Sequence, residues 1–158
     1  MIKTILSIAA LAIGLAACKP AADSVPAKPS AIATPKPASV YVGGLVDSDY
    51  AIQGCTTLLS RAGGSGADIF AEDGGDKGAK GYIKINGKVV PVTLAQGTSD
   101  DHGGNRQFVS SDGKVQIVET YVIGKQNPDT DSVELSGSVK VIVDGAAQDI
   151  RVQGGTAC

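Results

Sequence analysis

After residue 40 the chain carries no apolar pattern with the 3.6-residue period of a helix; it alternates apolar and polar positions instead, as half-buried β-strands do. Asn86-Gly87, Asp112-Gly113 and Asp144-Gly145 each supply a preferred residue pair for a two-residue type I′ turn. Such a turn dictates which residues oppose each other, so the hydrophobic pattern tests it. Around Asn86-Gly87, Ile83 falls opposite Val90, and Ile83, Ile85, Val90, Val92 and Leu94 share a face. Around Asp112-Gly113, Phe108 meets Ile117 and Ser110 meets Val115. Around Asp144-Gly145, Val139 meets Ile150 and Gly137 meets Val152, with Val133, Leu135, Val141 and Val143 on the same side. The opposite face carries Lys84, Glu134, Lys140 and Arg151, as a sheet wetted on one side requires.

Upstream, strands are predicted over Cys55–Leu59 and Ala67–Ala71, with a weaker one over Tyr41–Val46. Glycine-rich turns lie at Gly63-Gly64-Ser65-Gly66 and Gly74-Gly75. Six to eight short strands joined by tight turns predict an all-β domain, a small antiparallel barrel or sandwich, over residues 40–158. Composition agrees. The chain has 158 residues, 21 of them glycine, with four tyrosines, two phenylalanines and no tryptophan. Glycine at this density disfavours a helical bundle. The formal net charge of −2 excludes a strongly basic nucleic-acid binder, and the scarcity of aromatics argues against a stacking platform for sugars or single strands.

The first 39 residues are of another kind. Lys3 precedes an apolar run from Ile5 to Leu15, followed by small residues, which is the layout of a secretory signal peptide. The run is too short for a membrane span, which needs roughly 20 apolar residues. Leu15-Ala16-Ala17-Cys18 resembles the lipobox of bacterial lipoprotein precursors. The resemblance implies cleavage after residue 17 and acylation at Cys18, with chains such as palmitate. Two or more acyl chains make a stable anchor. It also implies sorting to the outer membrane, because Lys19 rather than aspartate follows the cysteine.

Residues 18–39 read as a lipidated cysteine and a disordered tether, holding five of the seven prolines (Pro20, Pro26, Pro29, Pro35, Pro37) and no glycine. Extended, the tether reaches up to about 65 Å from the membrane.

With Cys18 lipidated, Cys55 and Cys158 remain as an even pair in an exported chain. Their separation fits neither a metal-binding nor a redox motif. A disulfide between them pins the C-terminal strand, worth about 4–5 kcal/mol in the chain-entropy model.

Candidate chemistry is sparse. His102 is the only histidine, within Ser99-Asp100-Asp101-His102-Gly103-Gly104. No GxSxG elbow accompanies it, and sequence-adjacent Ser, Asp and His do not converge into a triad. Glu72-Asp73-Gly74-Gly75-Asp76 and Asn127-Pro128-Asp129-Thr130-Asp131 are acidic but lack the spacing of a calcium loop. No metal or cofactor site is predicted. Gln96–Asn105 reads as the longest polar loop, with Asp100, Asp101 and His102 offered to a partner. The apolar faces are needed for the core, so function is expected on loops and not in a deep pocket.

The leading expectation is a non-enzymatic binding or structural lipoprotein of the bacterial envelope. It would be held at the outer membrane facing the periplasm, with an envelope protein as partner and no nucleic acid. Lysozyme-inhibitor lipoproteins are similar in architecture, a small disulfide-closed β-barrel on a lipid anchor that blocks an enzyme with an inserted loop, though their cysteine-anchored motif is not visible in this sequence. That likeness implies a periplasmic enzyme inhibitor as the alternative. A hydrolase using His102 comes third.

Overall fold

The computed structural model describes residues 39–64, 66–75 and 78–158; the signal peptide, Cys18 and the linker to residue 38 lie outside the described residues. Nine strands follow in order: β1 (Val42–Gly43), β2 (Thr56–Arg61), β3 (Asp68–Asp73), β4 (Lys80–Ile85), β5 (Lys88–Asp100), β6 (Gly103–Ser110), β7 (Val115–Asn127), β8 (Ser132–Val143) and β9 (Ala146–Ala157). From β2 onward each strand pairs antiparallel with the next, and β9 returns to pair with β2. The result is an eight-stranded up-and-down barrel, not a sandwich. Closure satisfies the sheet's lateral hydrogen bonds without leaving two long edges. β1 is an added strand, with Val42 opposite Ile85 and Gly43 opposite Lys84, where β3 no longer covers β4.

Two of the three turn assignments hold in full. Asn86 and Gly87 have φ of 50° and 80°, and Asp144 and Gly145 have 47° and 84°, as type I′ demands. The third needs correction. At Asp112-Gly113 only the glycine is left-handed, with φ of 71°. The chain turns over residues 111–114, with the Gly113 amide donating to Ser110 O at 2.9 Å. Asp112 Oδ1 accepts from Ser110 Oγ and the Lys114 amide, at 2.6 and 3.1 Å. The longer turn returns the chain to the same register, so Phe108 still faces Ile117.

A second correction concerns Gln96–Asn105, which is a hairpin and not a loop. β5 runs to Asp100 and β6 starts at Gly103, with Thr98 opposite Asn105 and Ser99 opposite Gly104. These residues are polar because they stand at the barrel rim with water on both sides. Ladder hydrogen bonds hold them without an apolar stripe.

Inside the barrel, Leu59, Phe70, Ile83, Val92, Phe108, Ile117, Val139, Val141, Ile150 and Val152 are buried. Phe70 and Phe108 meet edge to face, ring centres 5.2 Å apart. Gly81 is glycine because a Cβ there would lie 2.8 Å from the Phe70 ring. On the outer wall Ile69 and Ala71 are buried too, beneath the segment after β1. That segment is tied down by Leu45 N to Asp68 O, by Tyr82 Oη to Ala51 O, and by the Lys84–Asp49 ion pair at 2.5 Å.

The two ends of the barrel differ. One, the turn end, gathers Asn86-Gly87, residues 111–114 and Asp144-Gly145. The other, the mouth, carries the β3–β4 loop, the β5–β6 tip at Asp101-His102, the β7–β8 turn and the Cys55–Cys158 disulfide. β5 has 13 residues against 6 in β4, so beyond Thr93 it runs past its neighbour toward the mouth.

Candidate functional site at the barrel mouth

Strand alternation builds the site. On β6 the inward positions run from Phe108 to Arg106; on β7 they run from Ile117 through Glu119 to Tyr121; on β3 they run from Phe70 to Glu72. Arg106 and Glu119 are direct cross-strand partners. The apolar core therefore ends, toward the mouth, in a layer of one guanidinium and two carboxyls.

Glu119 and Glu72 are as buried as the core, at 0% and 1% exposure. Arg106 Nη1 donates to Glu72 Oε1 at 2.8 Å, and Nη2 donates to Gly75 O at 2.8 Å and more weakly to Asp73 O at 3.5 Å. The guanidinium also lies 5.2 Å from the Phe108 ring centre. One arginine thus fastens the β3–β4 loop to the barrel interior and compensates a buried charge.

The second carboxyl is uncompensated. Neither oxygen of Glu119, nor Oε2 of Glu72, has a hydrogen-bond partner among the described residues. Burial pushes both carboxyls above the usual range; the charge of Glu119 raises Glu72 further, while Arg106 pulls both back and Glu72 itself pulls Glu119 down. The pair titrates as a unit, with steps raised to about 7 and about 9. It therefore keeps a proton through neutral pH. Tyr121, next along the inward face, is raised as well, by burial first and by Glu119 second.

Above this layer is a cavity of about 490 Å³, lined by Gly74 and Gly78 on one side, by Leu94–Ser99 on the other, and by Arg106 and Tyr121 at its base. It exists because β4 begins at Lys80 while β5 continues to Asp100, leaving a slot in the wall. Gly104 makes room for the tyrosine: a Cβ there would sit 2.7 Å from Tyr121 Oη. The expectation of no pocket is overturned at this end, since the polar layer and inward glycines leave volume that apolar side chains would have filled.

Asp100, Asp101 and His102 form the hairpin tip beside this cavity. Asp100 Oδ1 accepts from the backbone amides of His102 and Gly103 at 2.8 and 3.1 Å, and these bonds lower its pKa. The aspartate is thus committed to shaping the turn. Thr98–Asp100, His102–Asn105 and Tyr121 line a shallow hollow of about 410 Å³ on this hairpin. Cys55 and Cys158 are bonded, tying β9 to the start of β2. Of the acidic stretch at 72–76, Glu72 and Asp73 belong to β3 and not to a loop, and Glu72 points inward. Among the described residues no group of three or more His, Cys, Asp or Glu is placed to hold a metal ion.

Glu72, Arg106, Glu119 and Tyr121 were not singled out by the sequence reading, although the signal was present. The register that puts Phe108 opposite Ile117 also puts Arg106 opposite Glu119, two residues on, on the same inward face. No family model, curated protein or solved structure matches the chain.

Proposed function

We propose that this chain is a bacterial envelope lipoprotein, acylated at Cys18, carried on the residue 19–39 linker and held at the outer membrane facing the periplasm. Its barrel acts there as a non-enzymatic binding module. The lipobox-like Leu15-Ala16-Ala17-Cys18 supports the anchor. The observation that carries the binding reading is the mouth: a disulfide-tied barrel end with an open, polar-based cavity of about 490 Å³, inside the usual range for ligand sites. Barrels of eight strands hold ligands in this position when their interior is not filled to the rim.

The inhibitor reading has one observation in its favour. The β5–β6 hairpin presents Asp101 and His102 at an exposed tip, a shape suited to insertion into a basic cleft. The hydrolase reading gains nothing from Asp100, whose carboxylate serves the backbone.

Capture from envelope extract tests the module, comparing the natural chain with Tyr121→Ala and with Asp101→Lys/His102→Ala. Loss of one partner with Tyr121→Ala is the expected result. Capture of lysozyme, lost only in the tip variant, makes the protein an inhibitor. Fractionation of Cys18→Ser tests the anchor: soluble or unprocessed protein is expected, and an unmodified N-terminus elsewhere in the natural protein refutes it.

A further inference from the structure

A closed barrel should offer no free strand edge, yet among the described residues this one does. β5 pairs with β4 only as far as Thr93, and Leu94 N still reaches Ala79 O. From Ala95 to Asp100 the strand pairs with β6 on one side, and among the described residues no strand covers the other. All six of these residues are exposed. Natural edges are blunted by proline, charge (lysine above all), shortness or a β-bulge, and here the one bulge falls at the start of the run, between Leu94 and Gln96. Ala95-Gln96-Gly97-Thr98-Ser99-Asp100 has neither proline nor lysine, and its side chains are small apart from Gln96. The register shift between Leu94 and Gln96 is where β5 leaves β4. The edge also forms one wall of the slot above Arg106 and Tyr121.

We propose that the outer edge of β5, Ala95–Asp100, is a strand-addition site that takes an extended, basic peptide segment of a partner protein; this rests on the binding-module reading. An added strand takes its affinity from main-chain hydrogen bonds and its specificity from alternate side chains. Here one set of side chains points into the slot toward Ser99 and Tyr121, and the other stays at the rim. The rim selects positive charge: Asp100 and Asp101 close one end of the edge, Asp73 ends β3 beside Gly74 on the slot's other wall, and Arg106 at the base is already paired with Glu72. The chain's own linker is a poor occupant, because its five prolines lack the N–H groups a ladder needs. A second copy would bring two acidic rims together.

The test uses the full chain and synthetic seven-residue peptides alternating Lys with Val and Thr, read by amide hydrogen exchange resolved by residue. The Lys peptide should slow exchange of the edge-facing amides within Ala95–Asp100 at least tenfold. N-methylation along its pairing edge should abolish this, and Asp101→Lys, which leaves the Asp100 turn bonds in place, should weaken binding at least fivefold. Protection mapping elsewhere, or surviving N-methylation, overturns strand addition. Equal binding of a Glu-for-Lys peptide overturns the basic occupant. Edge protection that grows with protein concentration alone makes the occupant a second copy and overturns the proposal. If no peptide protects the edge while Tyr121→Ala still loses its envelope partner, the edge proposal fails and the module reading stands.

Discussion

The turn end and the mouth of this barrel are made of the same eight strands by opposite means. At the turn end two type I′ hairpins and one longer turn lock the register, and the interior is aliphatic and aromatic. At the mouth the strands overrun one another and the interior is an arginine with two glutamates, one of which has no partner. The first half gains from burial of apolar surface; the second gives up part of that gain to hold charge and open volume. The apolar core and the polar layer with its open volume are segregated along the barrel axis.

Several measurements sharpen or break that contrast. The largest effect is expected from Cys55→Ser/Cys158→Ser, which frees the mouth end of β9 and should cost up to about 4–5 kcal/mol in urea unfolding. Exchange protection should fall first in β2 and β9; equal loss at Asn86 and Asp144 would erase the distinction between the ends. Next, Arg106→Leu leaves two buried carboxyls without a counter-charge and should cost about 3–5 kcal/mol. A cost under about 1 kcal/mol would mean that the guanidinium compensates nothing.

The third measurement concerns pH. Between the ordinary glutamate value of 4.5 and the raised steps at about 7 and about 9, the unfolded chain has released protons that the folded pair still holds. Stability is therefore fully present below about pH 4.5 and is lost as pH rises through the raised steps, by up to about 1.4 kcal/mol per pH unit for each group. Glu119→Gln should flatten this slope and make the variant the more stable form at pH 8. A variant with the natural slope would move the titration away from this pair. The smallest effect is expected at the hairpin tip. His102→Ala should change stability by no more than about 0.5 kcal/mol, and any enzymatic activity abolished by this change would favour a hydrolase.

The same contrast governs what could be read from the residues alone. Asn86-Gly87 and Asp144-Gly145 announce themselves, because only a few residue pairs accept two left-handed conformations in succession. From them the pairing of Ile83 with Val90 and of Val139 with Ile150 followed, and with it the sheet. The mouth was obscured for two physical reasons. Gln96–Asn105 has no apolar alternation because it is wet on both faces, so a strand looked like a loop. Arg106 and Glu119 look like surface residues by type, and only cross-strand register identifies them as an inward pair. Closure into a barrel was not legible either, since it depends on β2 meeting β9 across nearly the whole domain.

That seam sets the order in which the molecule can be made. Every barrel ladder except β2–β9 joins strands that are consecutive in sequence, so seven hairpins can form with short loop-closure penalties. The seam must wait until the last strand has been made. Until then β2 and β9 are two exposed edges of an open sheet, the form most exposed to mispairing with other chains. The cysteines flank this seam: Cys55 immediately precedes β2, and Cys158 follows β9 at the chain terminus. Oxidation at that position joins the two sides of the seam by a covalent bond and so holds the finished barrel closed.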